Sequence, residues 1–208
     1  VDGQAWNPLA GAFSGALAIR EIFASARGER NTARTSVISV WQPWLSIDEA
    51  ERGPQTVDLP LKLWLVGLGH LGQGVLWNLS LIPGCGEQLI LNDYQDAGDE
   101  NVGTGLLTSD RHIGIKKTRV AAQWIESTGW KTNLLERRFS PAMVIESDDP
   151  PIVICGLDDV APRHAVLRTG FDYMIDLGVG HGPVDFESTQ IRLFRRGDAS
   201  SWEQSNSS

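Results

Sequence analysis

The sequence predicts an α/β fold: a doubly wound, mainly parallel sheet with helices on both faces, preceded by an N-terminal helical arm. Three observations carry this. From Leu59 onward, apolar runs of four to six residues alternate with helical segments, the pattern of strands buried on both faces. A glycine-rich turn, Gly67-Leu68-Gly69-His70-Leu71-Gly72, joins the first run to a helix. An acidic residue, Asp93, ends the second run about 20 residues beyond that turn. Together they make the arrangement Rossmann-like.

The elements follow in order. Asn7-Pro8 reads as an N-cap with proline in the first helical turn, opening a helix to about Arg27 that directs Leu9, Phe13, Leu17 and Ile19 toward a core or dimer interface. Residues 36–41 (SVISVW) have strand propensity and end at Gln42-Pro43. Residues 48–58 are polar, broken by Gly-Pro, and read as a linker. Strands are then expected at 62–67, 88–92, 132–139, 151–157, 173–178 and 189–197, and helices at 70–81, 115–127 and 161–168. The chain therefore divides into an N-terminal extension over 1–58, a nucleotide-binding domain over 59–197, and a polar, disordered tail over 198–208.

Composition limits the partners. The 208 residues carry a net charge of −8, which argues against a nucleic-acid backbone or an anionic membrane surface. The longest uncharged stretch, Gly3 to Ile19, contains Gln4, Asn7, Pro8 and Ser14 and falls short of the roughly 20 mostly apolar residues of a membrane span. No basic segment precedes it, so no export signal is expected. The missing initiator Met is consistent with a piece of a longer chain. Cys85 and Cys155 are the two cysteines; they make neither a disulfide framework nor an all-thiolate zinc site, and the expected location is the cytoplasm.

The glycine turn has a division of labour. Gly67 permits the tight turn, Gly69 the close approach of a phosphate, and Gly72 helix–sheet packing. Phosphate oxygens there meet free N–H groups and the positive end of the helix dipole. Asp93 is placed to accept hydrogen bonds from ribose hydroxyls, or is an ordinary solvated carboxylate; the strand–turn–helix context favours the nucleotide. Asp158 and Asp159 end the strand over 151–157, where open α/β sheets bind ligands. Asp158 suits a magnesium ion shared with phosphates, and either aspartate equally suits a helix cap. Lys116 and Lys117 begin a helix, placed to neutralise phosphate. His70 reads as a solvent-facing first-turn residue.

The blocks LVGLGHLGQGV, LILNDYQ, Asn101, DRHIGIKKTRVAA, IVICGLDDVAPR and MIDLGVGHG, in that order over residues 60–182, resemble the ThiF/MoeB/HesA family of ATP-dependent activators related to ubiquitin-activating enzymes. The resemblance implies that Gly67, Gly69 and Gly72 shape the phosphate turn and that Asp93 binds the ATP ribose. It implies that Asn101 contacts the polyphosphate, Lys117 lies near the α-phosphate, and Asp158 binds magnesium, with Lys117 and Asp158 the catalytic pair. The implied reaction adenylates the C-terminal carboxylate of a ubiquitin-like or sulfur-carrier-like protein, within a homo- or heterodimer.

The sequence departs from the family pattern at three places. Thr104 stands where a phosphate-binding arginine is expected and cannot supply a bidentate charged clamp. Asp159 replaces the usual asparagine, and Gln95 the second aspartate. The arginine that family dimers lend to the neighbouring site has four candidates, Arg20, Arg27, Arg30 and Arg34. These departures leave a second reading open, a catalytically weakened or inactive scaffold subunit. A third, an NAD-dependent oxidoreductase, fits the glycine turn and Asp93 but gives the IGIKK and GLDD blocks no role. Neither cysteine offers a thioester route: Cys155 lies inside an apolar strand, and Cys85 lies between a helix end and a strand start, at the edge opposite the expected site.

Overall fold

Six strands form one sheet in the order β3-β2-β1-β4-β5-β6. They are β1 (Lys62–Val66), β2 (Gln88–Asn92), β3 (Thr132–Leu135), β4 (Ile152–Cys155), β5 (Tyr173–Val179) and β6 (Thr189–Arg195). The first five pair in parallel, and β6 returns antiparallel along β5, with Met174 opposite Phe194. The computed structural model describes residues 7–29, 35–53, 60, 62–82, 87–180 and 188–198. It divides into two compact units, Val1–Asp58 with Leu81–Pro83, and Leu59–Ser80 with Gly84–Ser208. Beyond Asp198 the expected tail lies outside the described residues, as do Cys85 and the linker beyond Gly53.

The larger unit is the expected α/β fold, and its central strands are apolar on both faces. Leu63, Leu65, Leu89 and Leu91 point to one side and pack with Leu76 and Leu79 of α2 (His70–Ser80) and Ala121, Ala122 and Ile125 of α4 (Lys117–Glu126). Trp64, Val66, Val153, Cys155 and Met174 point to the other. There they meet Ala165 and Val166 of α5 (Val160–Arg168), and Phe139 and Met143 from the connection after β3. Trp64 packs edge-on against Phe171 and Phe139, with ring centroids 5.5 and 6.4 Å apart. An irregular segment thus shares the covering of this face with α5, where sequence periodicity gives no helix.

β3 is shorter than the expected 132–139, for a local reason. The buried Asn92 amide donates to the carbonyls of Leu135 and Arg137, 2.8 Å each. Arg119 forks onto Glu136 at 2.7 and 2.9 Å and holds its carboxyl below the usual range. Both pull the chain out of the ladder. Two short elements were not expected, α3 (Asp99–Thr104) and a 3-10 turn over Asp110–His112. α3 has no buried residue, so apolar spacing cannot mark it. The Asn101 side-chain Oδ1 accepts from the Gly98 N–H at 2.9 Å and marks its start instead.

The smaller unit departs further from expectation. Its helix α1 (Pro8–Ala26) forms as capped by Asn7, whose side chain accepts from the Leu9 N–H. Only Ala24 of α1 is buried; Phe13 is exposed and Ile19 is 65% exposed, so the expected core face is not one here. The helix runs past the uncharged stretch through Arg20 and Glu21, an exposed pair 2.9 Å apart. At 19 residues α1 is long and apolar enough to cross a membrane by length and composition, unlike the shorter stretch read from sequence. Residues 36–41 are not a strand. The Ser39 hydroxyl accepts from the N–H groups of Trp41 and Gln42 at 3.2 and 3.1 Å, a turn that competes with strand pairing.

A buried ion cluster ties β5 to β6 and α5. Asp176 on β5 is 1% exposed and accepts from Arg192 Nη2 at 2.8 Å and Arg163 Nη1 at 3.3 Å. Removing one partner of such a cluster strands the others' charge. Asp176→Ala is therefore expected to lower unfolding free energy by about 3 kcal/mol in urea denaturation. Asp172→Ala, which breaks only the exposed pair with Arg196, should change it by less than about 1 kcal/mol. Burial also pushes the Cys155 thiol up to about 12, so little thiolate exists near neutrality. Cys155 should resist alkylation at pH 8 in the native protein and react fully after denaturation, as read by peptide mass mapping.

Candidate functional site

The sheet order reverses direction between β1 and β4, and the last groups of β1 bond both ways. The Val66 carbonyl accepts from the Gly156 N–H at 2.8 Å, and the Gly67 N–H donates to the Asn92 carbonyl at 2.9 Å. This is the switch point of an open α/β sheet, where a crevice opens beyond the strand ends. Gly67 has φ +89°, and a Cβ on it would lie 2.9 Å from the Gly156 backbone. A Cβ on Gly72 would lie 2.0 Å from the Gly67 carbonyl oxygen. Gly69 is different: nothing lies within 4 Å of where its Cβ would be. Two glycines are thus required by packing, and the third leaves space open before the first turn of α2.

Asp93 braces this turn. Its Oδ2 accepts from the Leu68 N–H at 2.8 Å and its Oδ1 from the Gln95 N–H at 2.9 Å. The carboxylate therefore fixes both the glycine turn and the start of the loop after β2. Gln73, 3% exposed on α2, was not singled out from sequence, since a helical glutamine carries no motif. Its amide donates to the Leu68 carbonyl (3.2 Å) and the Thr108 hydroxyl (3.0 Å), and accepts from the Leu107 N–H (2.8 Å). It ties the glycine turn to the segment after α3.

A cavity of about 480 Å³ occupies the crevice. Of the residues predicted from sequence, Gly67, Gly69, Asp93, Asn101, Lys117 and Asp158 line it; Gly72 stands behind the turn and does not. Lys117 is 8% exposed, and its Nζ donates to the neutral Gln95 amide oxygen at 2.7 Å. Among the described residues, no carboxylate pairs with it. Gln95 thus meets the buried Lys117 with a neutral amide and not with a carboxylate. Lys116 is engaged elsewhere, on Asp96 (2.9 Å) and the Tyr94 carbonyl (2.8 Å). Asp158 and Asp159 are exposed at the cavity wall. The Asp158 carboxylate accepts from the Asp159 N–H at 3.1 Å, and the Asp159 side chain makes no cap bond to α5.

Thr104 does not line the cavity; its hydroxyl donates to the Glu100 carbonyl at 2.8 Å. Other cations do line it: Arg137, Arg138 and Arg163. Arg163 is held by Asp176 and by the Leu157 carbonyl, the latter at 2.6 Å. The guanidinium of Arg137 has no partner among the described residues, while Arg138 lies over the Tyr94 ring, 4.3 Å from its centroid. Sequence reasoning passed over this pair because it lay inside an expected strand. The one available signal was adjacent arginines at a strand's carboxyl end. His70 also lines the cavity and is exposed.

Three comparisons place the chain among known proteins. The bacterial E1-like protein BilD of Collimonas sp. (strain OK412) is 37% identical over 194 residues, covering 89% of this chain. The chain spans 42% of the length of that relative. A crystal structure of E. coli tRNA N6-threonylcarbamoyladenosine dehydratase, TcdA, superposes with TM-score 0.52 at 20% identity, over 60% of this chain and 54% of that one. That likeness is one of fold. The model of the BilD C-terminal domain matches residues 59–207, and the chain belongs to that domain family.

Proposed function

We propose that this chain binds ATP with magnesium in the crevice beside the glycine turn and adenylates the C-terminal carboxylate of a ubiquitin-like or sulfur-carrier-like protein. The observation that carries the reading is Lys117. A lysine buried beside a cavity with only a neutral amide for a partner is stable there when an anion supplies the countercharge. The open space at Gly69 and the unpaired first-turn N–H groups of α2 suit phosphate oxygens.

The donor set fits a phosphate-shared magnesium ion rather than a protein cage. Among the described residues no cluster of three or more His, Cys, Asp or Glu exists, whereas magnesium held with a nucleotide needs one or two carboxylates. Asp158 is the ligand of this reading, with Asp159 beside it. When bound, the ion would neutralise phosphate charge that develops as pyrophosphate departs.

The residues divide the work. In the reaction, a carboxylate oxygen of the partner forms a bond to the α-phosphorus and the bond to pyrophosphate breaks. Lys117, fixed by Gln95, holds charge against the α-phosphate. Asp93 holds the turn and meets the ribose, and Asn101 reaches the polyphosphate. Preorganised charge and position are what such a transfer requires. The fold, the family and the E1-like relative support this reading. A scaffold subunit that binds nucleotide without turnover is the competing outcome.

Titration calorimetry with Mg-ATP tests the binding step. Lys117→Ala should weaken ATP at least about tenfold, the scale of losing one charge-assisted bond. Exchange of labelled pyrophosphate into ATP, with a ubiquitin-like protein and with the same protein lacking its last residues, tests the chemistry. Exchange should require the intact C terminus, and Asp158→Asn should lower it about 100-fold while changing ATP affinity far less. ATP binding without exchange would establish the scaffold reading instead.

A further inference from the structure

The cavity's wall beyond β2 contains a construction that neither the glycine turn nor Lys117 explains. Tyr94 directly follows Asp93, and Arg138 follows β3, the neighbouring strand. The Arg138 guanidinium lies over the Tyr94 ring at 4.3 Å, and its Nη2 donates to the Tyr94 hydroxyl. Both residues line the cavity and both are exposed to it.

The pair is anchored from behind on both sides. The Tyr94 carbonyl accepts from Lys116 Nζ at 2.8 Å, and Lys116 is itself paired with Asp96 at 2.9 Å. On the other side, the buried Asn92 amide holds the Arg137 carbonyl at 2.8 Å, fixing the chain next to Arg138. No carboxylate neutralises Arg138 among the described residues. A guanidinium held over a ring and bonded to its hydroxyl has two restraints on its position, and part of its ordering entropy is lost before any ligand arrives.

We propose that the Arg138–Tyr94 pair is the base-recognition element of the site, a flat cationic plate against which the purine of the nucleotide stacks. The inference rests on the nucleotide reading above and extends it. With phosphates at the turn after β1 and ribose at Asp93 after β2, the ligand's next unit lies toward the end of β3, because the strand order is β3-β2-β1. A base there meets the Arg138–Tyr94 pair, while the other rings of the wall lie elsewhere, His70 at the glycine turn and Phe139 buried in the core. Arginine planes and aromatic rings both stack on nucleobases, and the larger purine face gains more than a pyrimidine. Arg138 and Tyr94 thus act as specificity residues, separate from the charge that holds the phosphates.

The test separates the base from the phosphates. Calorimetric affinities of the full chain for Mg-ATP, Mg-CTP and inorganic tripolyphosphate are compared with those of Arg138→Lys and Tyr94→Leu. Arg138→Lys keeps the charge and removes the plane. The expected result is that wild type prefers ATP to CTP, and that both variants lose about tenfold in ATP affinity while tripolyphosphate binding stays within about twofold. Matched thermal midpoints would show that the variants are folded; if Tyr94→Leu is not, Arg138→Lys alone decides. Equal losses for ATP and tripolyphosphate, or unchanged ATP affinity, would overturn the plate. Wild type that binds tripolyphosphate as tightly as ATP overturns base recognition while leaving the phosphate site standing. Wild type that binds neither overturns the nucleotide reading and this inference with it.

Discussion

The close approach of three backbone segments at Gly67 is the constraint on which this structure depends. β1 is followed by Gly67 at φ +89°, where a Cβ would lie 2.9 Å from the Gly156 backbone. The turn it makes then lies against Gly72 of α2, where a methyl group would meet the Gly67 carbonyl oxygen. β1, β4 and α2 can converge only because none of these residues carries a side chain. Convergence is what opens the crevice, since β2 and β4 leave on opposite sides of β1 and none of the described residues fills the space above their ends.

The polar groups of the site are held by partners that are themselves held. Asp93 spans the turn and the loop, and Gln73 joins the turn to the segment after α3. Asn92 draws the exit of β3 toward β2 and so brings Arg137 and Arg138 to the wall. The outcome is a cavity with fixed cations at two places, Lys117 near the turn and the arginines toward β3. Such separation gives an acidic chain of net charge −8 a local concentration of positive charge at the cavity.

Thr104 supplies no cation and does not line the cavity; the arginines that do line it come from the segment after β3 and from α5. Gln95 works the other way. Read as a lost carboxylate, it looks like a defect; in the structure it orients Lys117 without neutralising it. The smaller unit gives a comparable lesson. Apolar spacing and capping were enough to specify α1, but burial was not, because a helix shows which residues share a face and not what covers them.

The sequence alone determined the six strands and three longer helices from Lys62 onward, the glycine turn and the acidic strand end. Those features are written in local spacing: apolar runs, glycines that tolerate positive φ, and a carboxylate at a fixed distance. The tertiary structure alone decided the rest. Ser39 turned an apolar segment away from strand pairing, and Asn92 and Arg119 ended β3 at Leu135, each through hydrogen bonds to groups whose positions sequence spacing does not reveal. The same holds at the site. Lys117 became an uncompensated buried cation, and Arg138 met Tyr94 across 44 residues of chain, only when the parallel strands brought their carboxyl ends together. Residue type can be read from a chain, but charge balance and stacking belong to neighbours that folding supplies.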